Sequence, residues 1–164
     1  MDEHLTWDFH LKHIHSKLSS AVYALSKIKN LLSSQMKFTI YNSLFRSHIE
    51  YGITAWGMSA NKELDKIYTL QKKAVRYIEN SKDNAHSGPL FYKYNILKVH
   101  DIVKYNLGCF MYRYVNNMLP PSFVNLFQTN QNFDRNLSFQ LDLLPKKQIQ
   151  SFPLYSLPKL WNSL

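Results

Sequence analysis

The sequence predicts an all-α fold: a helical bundle followed by an irregular C-terminal segment in which short strands can pair. Apolar residues recur at steps of three and four over most of the first 127 positions. Glycine occurs only four times in 164 residues, which argues against a turn-dense β-sandwich and against Gly-rich phosphate loops. Pro145, Pro153 and Pro158 break up the last stretch, where periodicity fades. A hydrophobic content of 45% supplies a core and excludes intrinsic disorder. The expected division is therefore a bundle over residues 1–127 and an irregular segment over 128–164.

Leu11, Ile14, Leu18, Ala21, Val22, Leu25, Ile28 and Leu32 fall on one helical stripe. With no Gly or Pro between them, a first helix is expected from Thr6 to Leu32. Asn30 and Ser33-Ser34 close it, and a serine there can cap the next helix. A second helix is expected from Gln35 to Trp56, with Met36, Ile40, Leu44 and Tyr51 on one face. Phe38, Tyr41, Phe45 and Ile49 spread round its other sides, the pattern of a helix central to a bundle. Gly52 and Gly57 are placed for close packing or termination, and Trp56 for the core.

The third helix, Lys62 to Asn80, has the cleanest pattern. At about 100° per residue, Leu64, Ile67, Gln71, Ala74, Val75 and Ile78 share one face, and Lys62, Lys66, Lys73 and Arg76 share the opposite one. Residues 81–88 break the chain, and Pro89 fits the first turn of a short helix through Tyr94. A further helix is expected from His100 to Asn117, ended by Pro120-Pro121, with another turn or two up to Phe127. Leu137–Leu141 alternates and fits a short strand.

Several chemistries are excluded. A single cysteine rules out an internal disulfide and multi-cysteine zinc sites, and its apolar surroundings predict that Cys109 is buried. Two-metal phosphoryl or nucleotidyl transfer needs converging carboxylates. The chain has eleven acids, none between Asp8 and Glu50, and Glu63 and Asp65 diverge on a helix. No catalytic residue, cofactor or metal site is expected. His10 and His13 share a helical face, read here as polar or phosphate-facing rather than metal-binding. No run approaches the roughly 18 apolar residues of a membrane span, so no membrane partner is expected and the compartment is expected to be intracellular, nucleus or cytoplasm.

What remains is cationic. Twenty Lys+Arg against eleven Asp+Glu give a net charge of +9, which attracts polyanions. Between Phe9 and Ile49 lie Lys12, Lys17, Lys27, Lys29, Lys37 and Arg46, with no acid. Beside them stands the Lys62/Lys66/Lys73/Arg76 stripe. Such a face suits non-specific contact with a phosphate backbone, with Lys12 and Lys27 as outriders; the alternative is that these lysines only solvate a bundle. Tyr23, Tyr41, Tyr68, Tyr105 and Tyr112 are among nine tyrosines that either stack on bases or belong to the core and its boundary.

Several strings, in order along the chain, carry a resemblance. They are residues 5–14 (LTWDFHLKHI), 51–57 (YGITAWG), 71–76 (QKKAVR), 89–91 (PLF), 95–102 (NILKVHDI) and 110–112 (FMY). Together they resemble the C-terminal part of the reverse transcriptases of non-LTR retrotransposons, of the jockey and LINE types, from about Leu5 to Leu164. The resemblance implies a helical thumb and the post-thumb region, gripping the RNA or RNA–DNA template–primer. The family's metal-binding aspartates lie upstream of this stretch, so the resemblance transfers no catalytic residue. It further implies a fragment inactive alone, which either holds nucleic acid or serves as an interaction remnant that docks on a palm domain or self-associates. Asp134-Arg135 and Leu157-Pro158 depart from the family pattern.

Overall fold

The computed structural model describes residues 7–58, 61–123, 128–130, 138–140, 157 and 160, with the backbone alone at 61, 62 and the residues 128–130 and 138–140. The chain is helical, as its periodicity predicts. Helix α1 spans Asp8–Ile28 and buries Leu11, Ile14, Leu18, Ala21, Val22 and Leu25, the residues of the expected stripe. The expected start at Thr6 lies outside the described residues. Ser33 caps α2, Ser34–Tyr41, its Oγ accepting from the Met36 amide at 3.4 Å.

The expected helix over Gln35–Trp56 is not continuous. After α2 the backbone widens into a π turn, Asn42–Arg46, and then re-forms as α3, Ser47–Glu50. Tyr51 is extended, Gly52 takes φ 63°, and α4 covers Ile53–Trp56. The left-handed region costs Gly52 little because glycine lacks a Cβ. The buried side is also a different one. Lys37, Tyr41, Phe45 and Ile49, four apart, turn inward, whereas Met36, Leu44 and Tyr51 are exposed. A regular helix drifts about 40° per four-residue step; the wider π turn takes up that drift and keeps the row aligned.

Helix α5, Asn61–Glu79, matches its expectation closely, and Leu64, Ile67, Gln71, Ala74, Val75 and Ile78 are all buried. Leu64, Ile67, Val75 and Ile78 each contribute about 1.5–3 kcal/mol when fully buried. Helix α6, Gly88–Lys93, carries Pro89 in its first turn, and α7 spans Val99–Val115. A 3-10 turn follows at Pro121–Phe123. The further helix expected up to Phe127 falls at 124–127, outside the described residues. Strands β1, Gln128–Asn130, and β2, Ser138–Gln140, pair antiparallel with Thr129 opposite Phe139. Cys109 is half-buried rather than buried; the inward row of α7 is Ile102, Val103, Leu107 and Met111, and Cys109 lies off it.

Two compact units emerge. The first comprises residues 1–52 and 61–102, and the second comprises 53–60 and 103–164. The expected boundary at residue 127 lies among positions outside the described residues. In the first unit α1 packs against α5, with α2 closing on both and the π turn on α1. Gln71 is its polar centre: Nε2 donates to the Tyr41 hydroxyl at 3.0 Å and to the Leu97 carbonyl at 2.9 Å. Its Oε1 accepts from the Val99 amide at 3.0 Å, capping the start of α7. In the second unit Trp56 is buried, and Gly57 ends α4 where a Cβ would meet the Ile53 carbonyl at 2.5 Å and Val103 Cγ2 at 2.9 Å.

Candidate nucleic-acid interface

The outward face of α5 is fixed by its burial. With Leu64 through Ile78 turned inward, positions 66, 69, 73 and 76 point the other way. Lys66 is exposed and pairs with Glu63 at 2.6 Å. An exposed i,i+3 pair of this kind is worth little, so it yields readily to a phosphate. Lys73 is exposed, and no described residue pairs with it. Arg76 is half-buried, and its Nε donates to the Ala85 carbonyl at 2.7 Å, pinning the loop after α5. The side chain of Lys62 lies outside the described residues. Asp65, at the N-terminal end of the same face, pairs with His100 Nε2 at 3.2 Å. The cationic character therefore gathers in the C-terminal half of α5, where it also complements the helix dipole.

Lys12 and Lys27 are both exposed, on the side of α1 opposite its buried stripe. Because α1 and α5 pack through those stripes, the two outward faces diverge. Lys12 and Lys27 form a separate strip, about 22 Å long at 1.5 Å per residue. Lys27 Nζ stands 5.0 Å from the Tyr23 ring centroid. Two cation–π contacts that the stripe pattern does not single out flank α5, Lys72 over Tyr68 at 4.7 Å and Lys29 over Tyr77 at 5.6 Å. Lysine and tyrosine four apart on α5 (Tyr68, Lys72) were visible in sequence; the Lys29–Tyr77 pair crosses helices and was not.

Two members of the acid-free stretch are turned to other uses. Lys37 is 1% exposed, and its Nζ donates to the Lys29 carbonyl at 2.8 Å and to Asn80 Oδ1 at 3.1 Å. Burial pushes its pKa below the ordinary lysine value, with Glu79 opposing. Arg46 pairs with Glu50 at 2.7 Å on the surface. Lys37 heads the inward row of four-residue steps, a row that burial picks out from the apolar residues on the other sides. Next to it, Glu79 accepts from Lys93 at 2.7 Å and from the Tyr94 hydroxyl, which hold its carboxyl below the usual range.

Of the tyrosines, Tyr41 is buried while Tyr23, Tyr51, Tyr92, Tyr105 and Tyr112 are exposed. Burial, and then the charge of the neighbouring His13, hold the pKa of His10 below the usual imidazole value. Among the described residues no three His, Cys, Asp or Glu side chains converge as a metal site, and no helix is long and apolar enough to cross a membrane.

Over 84 residues the chain is 31% identical to the RNA-directed DNA polymerase from mobile element jockey of Drosophila melanogaster. That stretch is a region of similarity to the polymerase of a mobile element. The match takes in 49% of this chain and 9% of that protein, so the chain spans less than a tenth of the length of the curated relative. No family model and no solved structure matches the chain.

Proposed function

We propose that this chain is a thumb-type helical region of a retrotransposon reverse transcriptase, non-catalytic by itself, that holds the backbone of RNA or of an RNA–DNA hybrid. The observation that carries the reading is the outward face of α5. There Lys73 stands without a described partner and Lys66 is held only by an exposed pair, on a helix fixed by a fully buried opposite side. Lys62 continues the stripe in sequence, and Lys12 and Lys27 extend the cationic surface on α1. Arg76 contributes what its guanidinium has beyond the bond to Ala85. Contacts of this kind follow phosphates and read no bases.

Titrating labelled hybrid against the chain over a salt series tests the reading. Each neutralised phosphate adds about 0.9 to the slope of log affinity against log salt on a duplex. Lys66→Glu/Lys73→Glu is expected to flatten the slope by roughly 2 and to leave the fold intact. Arg76→Glu, made separately, is expected to lower stability as well, because it removes the donor to Ala85. An unchanged affinity and slope in the lysine pair would reduce the stripe to solvated surface.

A second reading is favoured by one observation. Met36, Leu44 and Tyr51 are exposed along the outer side of α2–α3, an apolar strip suited to docking on a palm domain or on another copy. Its test is the state of association over a salt series.

A further inference from the structure

We propose that the outward face of α7 between Tyr105 and Tyr112 is a stacking platform for unpaired nucleobases. This deepens the reading of the chain as a nucleic-acid holder by naming single-stranded nucleic acid as a second form bound, beside the duplex held by α5, and it rests on that reading. Tyr105 and Tyr112 are 62% and 56% exposed, and a spacing of seven puts them on the same side of the helix. Between them lies Gly108, where an added Cβ would meet no atom within 4 Å. The floor between the rings is thus bare backbone facing open space. Seven residues of helix rise cover about 10.5 Å, close to three stacking intervals of about 3.4 Å. The two rings therefore bracket room for two stacked bases.

The charge around the platform suits the same occupant. Lys104 and Arg113 are exposed on its flanks, and no acid occurs from Val103 to Phe133. The nearest carboxylate in sequence, Asp101, lies one turn before Tyr105. Aromatic rings with adjacent cations hold single strands without reading sequence, because every base has a π-face and every linkage a phosphate. A protein partner would take the rings equally well but would not need the cations or the bare floor.

Binding of labelled oligo(rU), oligo(dT) and an RNA–DNA hybrid to the full chain tests this. Tyr105→Ala/Tyr112→Ala is expected to weaken single-strand binding at least about tenfold, with the salt slope unchanged and hybrid affinity within twofold. Tyr105→Phe/Tyr112→Phe keeps the rings and is expected to bind as the parent does. Gly108→Leu fills the floor in open space and is expected to reproduce the loss. Equal losses on oligo(rU) and oligo(dT) assign the platform to unpaired bases in general, and a loss on one of them assigns it to that polymer. Unchanged single-strand binding in both the alanine pair and Gly108→Leu overturns the platform, and the phosphate reading stands if Lys66→Glu/Lys73→Glu still flattens the slope. If the parent chain binds no nucleic acid, both fail. Self-association that the tyrosine variants abolish, with no effect on oligonucleotides, also overturns it in favour of a protein partner.

Discussion

The ammonium of Lys37 lies where two helices end. It binds the carbonyl of Lys29, just past α1, and the side chain of Asn80, just past α5, so it meets the negative ends of two helix dipoles. Tyr41, one turn on, keeps its hydroxyl against Gln71, and burial pushes its pKa up to about 12. These two groups shift in opposite directions, and linkage turns that into opposite pH dependences. Lys37 has a lowered folded pKa, so the unfolded chain binds more protons as pH approaches 10.5, and its contribution to stability rises there. Tyr41 has a raised folded pKa, so its contribution is complete below pH 10 and is lost between about 10 and 12, amounting to roughly 2–3 kcal/mol. Denaturant unfolding across this range is expected to show the rise missing in Lys37→Met and part of the alkaline fall missing in Tyr41→Phe. Parallel curves for parent and Tyr41→Phe would show that the phenol is not held protonated by the fold. Neither residue's role was legible from type alone: a lysine in an acid-free run reads as surface, and only the four-residue row with Tyr41, Phe45 and Ile49 sets it inside.

Helices were legible where one face alone is apolar. In α5 six buried positions and the opposite cations leave a single orientation, and the expected boundaries came within a residue. Between Ser34 and Trp56 apolar residues occur all round, so periodicity selects no face, and neither the π turn nor the inward side could be read. Helix ends show how a chain with four glycines terminates its elements. Asn80, Asn95 and Asn117 take φ of 59°, 50° and 53° after α5, α6 and α7. In each case the next amide reaches back five residues, Ser81 to Arg76, Ile96 to Phe91 and Met118 to Arg113, at 3.0, 2.9 and 2.8 Å. That is the Schellman closure with asparagine in the place glycine usually takes. Asn117→Gly relieves a Cβ in the left-handed region and is expected to leave stability unchanged or raise it by up to about 1 kcal/mol. Asn80→Gly gives the same relief but removes the acceptor of the buried Lys37, and is expected to destabilise by about 1–3 kcal/mol. Equal thermal shifts for the two variants would mean that the Lys37–Asn80 bond contributes nothing.

At the scale of the whole molecule, a charge of +9 and an exposed apolar strip respond to salt in opposite ways. Cationic contacts to a polyanion weaken as salt rises, since the counterions released on binding return to a more concentrated bath. Two copies of the chain repel one another at low salt, where screening extends over roughly 10 to 30 Å, but not at about 1 M, where it falls to about 3 Å. Apolar contact through Met36, Leu44 and Tyr51 is not weakened by that change. Light scattering on the purified chain is therefore expected to give a monomer mass at about 0.05 M salt and a larger mass at about 1 M. Met36→Glu/Leu44→Glu is expected to stay monomeric throughout, while its affinity for hybrid matches that of the parent because the α5 face is untouched. Lys66→Glu/Lys73→Glu should do the reverse, losing hybrid affinity and associating at lower salt, since two charge reversals cut the repulsion between copies. A parent chain whose mass is the same at both salts would separate the strip from self-association and leave docking on another domain as its use.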